Sequence, residues 1–182
     1  MLMSIFLIRH ATPDWSLKDI PYHLPPGPPL TSQGRAEAYS LGNYLAQASL
    51  RQVYASPLER CQQTARIIAE LTGAPLETLP ALIEWQPGDT DAVALARIWP
   101  AFELACHVSE QTAGSVALVS HGGPIGVLLT ALGMDAEALK AYRSTYDHGN
   151  PAPPAGAWEV NREPGSASWS FCLAFVPEIA LA

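Results

Sequence analysis

The chain has 182 residues, 48% of them hydrophobic and 15% charged. That is enough apolar material for the packed core of one ordinary domain, and it lies far from the polar, highly charged profile of disordered chains. The formal net charge of −7, with lysine only at Lys18 and Lys140, excludes the basic patches that non-specific binding to nucleic acid or an anionic membrane requires. No apolar run approaches the roughly 18 residues of a membrane-spanning helix. Cys61, Cys106 and Cys172 lack the spacing of a zinc site or a disulfide framework. We therefore expect a single domain over 1–182, cytoplasmic, with reduced and mostly buried thiols.

Ile5-Phe6-Leu7-Ile8 is a short continuous apolar run, the pattern of a strand buried on both faces of a parallel sheet, and it ends abruptly in Arg9-His10. The preceding residues lack a basic stretch, so the N-terminus reads as strand rather than signal peptide. From Ala11 to Leu30 the chain carries Pro13, Pro21, Pro25, Pro26, Pro28 and Pro29, which no helix or central strand accommodates, so this is a long surface loop. Thr31 or Ser32 caps a helix running to about Gln47, with Ala38, Leu41 and Leu45 at helical spacing. Gln52 to Ala55 follows as a short strand. Ser56-Pro57 opens a second helix whose stripe of Cys61, Ala65, Ile68 and Leu71 stops at Gly73.

Leu76 to Leu79 reads as a weaker strand, and Asp91 to about Gln111 as helical with an interruption or new start at Pro100, since proline suits the first turn of a helix better than its middle. Val116 to Val119 is a second buried strand. It ends in Ser120-His121-Gly122-Gly123 before Pro124 starts a helix closed by Gly133. A polar helix around Ala136 to Arg143 and a Pro- and Gly-rich loop from Asp147 to Gly156 precede two alternating strands, Trp158–Arg162 and Trp169–Val176. Strands alternating with helices predict an α/β fold: a mostly parallel central sheet with helices on both faces. Ligands in such folds sit at the carboxyl ends of the strands, so His10 and His121, far apart in sequence, are expected to meet there.

A histidine after a strand is by itself more often structural than catalytic, but its companions change the weighing. Arg60 lies at the start of the second helix, where free backbone N–H groups favour anions. His121-Gly122-Gly123-Pro124 repeats the order strand, histidine, helix start. Two arginines and a second histidine suit three phosphoryl oxygens through charge-assisted hydrogen bonds.

At this point the sequence resembles the histidine phosphatase superfamily, also called phosphoglycerate mutase-like, in its branch 1. Leu7-Ile8-Arg9-His10-Ala11 resembles the family's opening R-H-G motif, Leu30-Thr31-Ser32-Gln33-Gly34 its L-T-x-x-G, and Ser56 to Ala65 its S-P-L-x-R-x-x-Q-T-A. Glu84 with Gly88 resembles its acid and following glycine, and Val119-Ser120-His121-Gly122 its second histidine motif. The resemblance implies a phosphoglycerate mutase-like three-layer sandwich. It also implies a nucleophile in His10, a phosphate pocket of Arg9, Arg60, His121, Ser16 and Gly122, and a proton donor and acceptor in Glu84. No metal or cofactor would be needed. Three departures stand out: Ala11 replaces the motif glycine, Ser16 stands where the family has asparagine, and Thr90-Asp91 follows Gly88-Asp89 in place of the family's tryptophan and glutamate.

Asp14 and Glu59 are the fallback acids. His23 and His148 lie in the two Pro-rich loops and read first as exposed loop histidines, His107 as structural or surface. Trp15, Tyr22 and Trp85 are candidates to line a cleft. The leading expectation is hydrolysis of a small phosphorylated metabolite. Mutases of the family use the same histidine but carry a long covering segment between acid and second histidine, where this chain has room for one or two helices. A phosphohistidine protein phosphatase and a non-catalytic phosphate-binding module are the further alternatives. The last strands would form a sheet edge able to pair two copies as a homodimer.

Overall fold

In the computed structural model, residues 3–178 are described. The first apolar run forms β1 (Met3–Arg9), every residue of it buried. It is followed by α1 (Ser32–Leu45), β2 (Leu50–Ala55), α2 (Glu59–Thr72) and β3 (Leu76–Thr78). The second half contributes α3 (Asp91–Thr112), β4 (Ser115–Ser120), α4 (Gly122–Ala131), α5 (Ala136–Thr145), β5 (Ala157–Arg162) and β6 (Ser170–Phe175). The sheet runs β3-β2-β4-β1-β5-β6, the first four strands parallel and the last two antiparallel.

The period of two along each central strand divides its side chains between two layers. Ile5 and Leu7 of β1, with Val116 and Leu118 of β4, pack against Ile98 and Phe102 of α3 and Ile125 and Leu128 of α4. The intervening Phe6, Ile8, Ala117 and Val119 pack on the other side against Ala38 and Leu41 of α1 and Ala65 and Ile68 of α2. The strands are apolar on both faces because both faces are covered. No helix among the described residues is long and apolar enough to cross a membrane.

One expectation fails. α3 is not interrupted at Pro100 but runs straight through it. Pro100 and Ala96, whose carbonyl loses its helical partner, are both exposed, so water can replace that bond. Ile98, Ala101, Phe102 and Ala105 meanwhile bury the opposite side. A proline inside a helix costs about 3 kcal/mol, and burying two large side chains at about 1.5 to 3 kcal/mol each offsets it.

The carboxyl ends of β1, β4 and β2 stay laced together beyond the sheet. The backbone N–H of His10 donates to the Ser120 carbonyl and that of Ser56 to the Val119 carbonyl, each at 3.0 Å. The long loop is tied down at its base. Thr12 donates its N–H to one Glu37 carboxylate oxygen (2.9 Å) and its hydroxyl to the other (2.8 Å), and its carbonyl accepts from the Thr31 N–H at 3.0 Å. Thr31 in turn caps α1, its hydroxyl accepting from the Gly34 N–H at 2.9 Å. Gly34 is required by contact: a Cβ there would stand 2.1 Å from the Thr12 carbonyl oxygen. The residues between Leu30 and Gly34 are thus a joint between α1 and the loop that begins at His10.

Gly34→Ala should lower unfolding stability by about 1 to 3 kcal/mol, the usual range for forcing atoms into a packed site. Denaturant unfolding checks this. An unchanged midpoint would mean that Thr12 gives way freely and the joint is slack.

Candidate active site

His10 leaves β1 fully buried, at 1% exposure. Its Nδ1 lies 2.8 Å from the Ala11 carbonyl oxygen, which can only accept, so the ring proton sits on Nδ1 and the lone pair on Nε2. The Tyr22 hydroxyl, 3.2 Å from Nε2, supplies a hydrogen bond to that lone pair. Burial, reinforced by Arg60 and then Arg9, holds the His10 pKa well below the ordinary histidine value. Burial also pushes the Tyr22 phenol up to about 12, so it remains a donor. Ala11 is not among the residues with positive φ, so its departure from glycine introduces no backbone strain.

Arg60 reaches the same point from the first turn of α2 with no exposed surface. Its Nη1 donates to the Tyr22 carbonyl (2.8 Å) and its Nη2 to His121 Nδ1 (3.1 Å), and the guanidinium lies 3.7 Å over the Tyr22 ring. Because Arg60 only donates, His121 accepts at Nδ1 and carries its proton on Nε2, 2.9 Å from the Ser56 hydroxyl. Burial and then Arg60 hold His121 well below the ordinary value as well. The His10 and His121 rings meet edge to face at 5.3 Å.

Glu84 closes the group, one carboxylate oxygen 3.4 Å from His121 Nδ1 and 3.8 Å from Arg60 Nη2. Its pKa is raised, burial outweighing the Trp85 amide and the arginines. Ligand atoms of His10, Glu84 and His121 lie within 4.8 Å of one another, a spacing a cation could use. Two guanidinium groups in the same pocket oppose one electrostatically.

Arg9 is also buried, and its guanidinium is forked onto Asp147 at 2.5 and 2.7 Å. Above these groups opens a cleft of about 520 Å³, lined by Arg9, His10 and Glu84 below and by Trp15, Lys18 and His148 toward the mouth. Trp15 stacks on Tyr22 with ring centroids 4.6 Å apart. Gly122 and Gly123, the first residues of α4, line the cleft too, and first-turn amides have no helical partner. A Cβ on Gly122 would sit 1.6 Å from the Asn150 side-chain oxygen. A cavity of about 600 Å³ near Met3, Arg162 and Gly165 holds no comparable set of buried polar groups.

The structure brings together Arg9, His10, Arg60, Glu84, His121 and Gly122. Ser16 stands apart: it is exposed, its hydroxyl bonded to Asp14 at 2.5 Å, and it does not line the cleft. The fallback acids are engaged elsewhere, Asp14 held ionised by Ser16 and Glu59 paired with Arg66 at 3.1 Å. His107 is exposed on α3. Trp85 packs beside Gly123 and donates to the Asp89 carbonyl (3.2 Å), and His23 is absent from the lining while His148 is present. Sequence reasoning missed Asp147, Asn150 and Lys18, which belong to no motif. It passed over Ser56 as a position with its own contact, although the S-P-L motif contained it.

Residues 5–103, more than half of the chain, match the histidine phosphatase superfamily (branch 1). The chain belongs to that superfamily. It is 27% identical over 169 residues to an uncharacterized phosphatase of Bacillus subtilis, covering 78% of this chain and 83% of that protein. It is 28% identical over 175 residues to a 2,3-bisphosphoglycerate-dependent phosphoglycerate mutase of Bartonella quintana, covering 75% and 84%. Among solved structures, a mycobacterial glucosyl-3-phosphoglycerate phosphatase superposes with a TM-score of 0.72 at 20% identity, over 94% of this chain and 97% of that one. A phosphoglycerate mutase from Bacillus anthracis gives 0.71 at 15%, over 93% and 91%. The fold is thus the phosphoglycerate mutase-like sandwich of the histidine phosphatase superfamily, whose relatives here include both phosphatases and mutases.

In this superfamily member, Ser56→Ala should leave the buried His121 Nε2–H without its oxygen partner and reduce stability by about 1 to 3 kcal/mol. Denaturant unfolding reads this. A loss below about 0.5 kcal/mol, the range of an uninvolved surface change, would mean that the Cys61 sulfur, 3.5 Å from the same nitrogen, substitutes for the hydroxyl.

Proposed function

We propose that this protein is a phosphatase that hydrolyses a small phosphomonoester through a phosphohistidine on His10, without a metal or cofactor. One observation supports the reading above all. A neutral histidine whose Nε2 lone pair is covered only by the Tyr22 hydroxyl lies beside two buried arginines whose Nε atoms have no partner. Buried donors left unmatched among otherwise satisfied groups call for a bound acceptor, and a phosphoryl group brings several anionic oxygens.

In the first step the His10 Nε2 lone pair forms a bond to phosphorus in line with the leaving oxygen, and the phosphorus–oxygen ester bond breaks. The Tyr22 hydroxyl at Nε2 would yield its place and donate to a phosphoryl oxygen instead. Arg9, Arg60 and the first amides of α4 neutralise the spread charge, while His121, its Nε2–H held by Ser56, keeps Arg60 in place through Nδ1. The proton that Glu84 retains passes to the leaving alkoxide. The phosphohistidine carries its positive charge on a ring whose Nδ1–H remains bonded to the Ala11 carbonyl. In the second step water gives a proton to the Glu84 carboxylate and attacks phosphorus, the nitrogen–phosphorus bond breaks, and phosphate leaves with His10 neutral again.

A mutase would share the first step and differ in returning the phosphoryl group to a second hydroxyl. Mutases among the relatives favour that reading. Chain length does not separate the two, since this chain spans 91% of the Bacillus anthracis mutase structure. A single helix, α3, links Glu84 to the second histidine strand, and the cleft mouth is walled by exposed residues, Trp15 at 45%. Water reaching the phosphohistidine favours hydrolysis.

His10→Ala should abolish phosphate release from p-nitrophenyl phosphate while leaving the fold intact, and near-normal turnover would remove the mechanism. Phosphate release without isomerisation of a phosphoglycerate separates phosphatase from mutase. The pH dependence follows from the two shifts. His10, held low, remains an unprotonated nucleophile well into the acid range, and Glu84, held high, delivers its proton until pH rises through its raised pKa. For alkyl phosphates kcat/KM should therefore be greatest on the acid side of neutrality and fall toward alkaline pH. Glu84→Gln should remove that alkaline limb and slow alkyl phosphates far more than p-nitrophenyl phosphate, whose leaving group needs little protonation. Equal losses on both substrates would assign proton transfer to another group.

A further inference from the structure

Arg9 has five N–H donors, and the structure accounts for three of them. Nη1 donates to Asp147 Oδ1 at 2.5 Å and to the Ala152 carbonyl at 3.0 Å, and Nη2 donates to Asp147 Oδ2 at 2.7 Å. The two that remain are the Nε–H and the second hydrogen of Nη2, which lie along one edge of the planar group. Nε is buried and has no partner, while the side chain as a whole is 4% exposed and lines the cleft with His10. One fork of the guanidinium is filled by a carboxylate. The other has no partner among the protein groups.

Asp147 is itself held in place. It begins a short 3-10 turn, Asp147–Gly149, in which His148 adopts a left-handed conformation (φ 52°). The Asp147 carbonyl accepts from both the backbone N–H (3.0 Å) and the side-chain amide (2.8 Å) of Asn150. Asn150 occupies the space a side chain at Gly122 would need, so the turn is seated on the N-terminus of α4, next to His121. The hydrogen bond from Arg9 keeps the Asp147 carboxyl below its ordinary range, and therefore ionised. An arginine stem has four rotatable bonds, and a bidentate carboxylate fixes both the plane and the direction of its head.

We propose that Asp147 is a positioning residue for the phosphoryl pocket: by occupying one fork of Arg9 it turns the other, with its buried Nε–H, toward the phosphoryl oxygens. Asp147 does not touch the phosphoryl group. It acts through Arg9 and reaches the site from a loop that carries no family motif. This inference rests on the phosphatase reading above, because it needs an anion to bind beside His10.

The test measures binding of inorganic phosphate and orthovanadate, by calorimetry and as inhibitors of p-nitrophenyl phosphate hydrolysis. The proteins are wild type, Asp147→Asn, Asp147→Ala, Arg9→Lys and the Arg9→Lys/Asp147→Ala double variant. Asp147→Ala should weaken both anions and lower kcat/KM on the order of tenfold to a hundredfold, the scale of a misplaced charged group in a site. Asp147→Asn, which keeps the shape and one acceptor, should fall between and guards against a folding defect, with the melting temperature of each variant measured alongside. In the Arg9→Lys background, where no second fork exists to be aimed, Asp147→Ala should have no further effect on anion affinity. Equal losses in both backgrounds would overturn the inference, since Asp147 would then act by another route. Tighter anion binding in Asp147→Ala would overturn it too, by making Asp147 a competitor for Arg9. Failure of the wild type to bind either anion would instead overturn the phosphatase reading beneath it.

Discussion

A full positive charge on Arg60 is held with no exposed surface at the carboxyl end of the sheet, and the rest of the site is arranged around it. Removing such a charge from water costs several kcal/mol unless good partners replace the hydration. The chain supplies a carbonyl from Tyr22, a ring nitrogen from His121, the face of an aromatic ring, and a carboxyl group at 3.8 Å. None of these is a close, ionised partner, and Nε has none at all. The pocket is therefore under-compensated as it stands, and a phosphoryl dianion is the kind of group that would complete it.

Keeping Arg60 there constrains distant parts of the sequence. Its backbone carbonyl accepts from Thr64 Oγ1 at 2.7 Å, and that same hydroxyl accepts from the Ala11 N–H at 3.1 Å, which couples the first turn of α2 to the residue after His10. Gln63 accepts from the Leu30 N–H at 2.8 Å, tying α2 to the far end of the loop that brings Tyr22 over the guanidinium. The S-P-L-x-R-x-x-Q-T-A segment is thus a set of contacts radiating from one helix start: Ser56 to His121, Arg60 to the pocket, Gln63 and Thr64 to the two ends of the loop.

This explains which parts of the protein were legible in the sequence. Strands buried on both faces, capped helix starts and Pro-rich loops follow from local chemistry, and β1, α1, α2 and β4 lie close to where apolar runs, Thr31 and Gly73 placed them. Pro100 misled because its local preference was outweighed by burial of Ile98 and Phe102 on the opposite side of α3, a tertiary effect invisible in the dipeptide. Within the site, residues that leave a strand or open a helix were readable, because backbone geometry fixes where they point. Ser16 and Asp147 were not. Each sits in an irregular loop whose course depends on long-range bonds, and Ser16 turns back to Asp14 while Asp147 turns in to Arg9. Asn150 is intelligible only once the missing side chain of Gly122 is seen as the space it fills.

Burial acts on the two titratable roles in opposite senses. It disfavours the charged form of any group, so the same dry pocket lowers the pKa of His10 and His121 and raises that of Glu84. The two arginines then act unequally. They add to the depression of both histidines but only partly reverse the rise at Glu84, so a histidine held toward its neutral form and a carboxyl held toward its protonated form lie within 4.8 Å of one another. A nucleophile must be unprotonated and a leaving-group acid protonated, and in the proposed mechanism this one environment would favour both. An arriving phosphoryl group would cancel much of the arginine charge, easing protonation of His121 and keeping Glu84 protonated to higher pH. The under-compensated charge at Arg60 would in this way couple binding of an anion to the protonation of the groups around it.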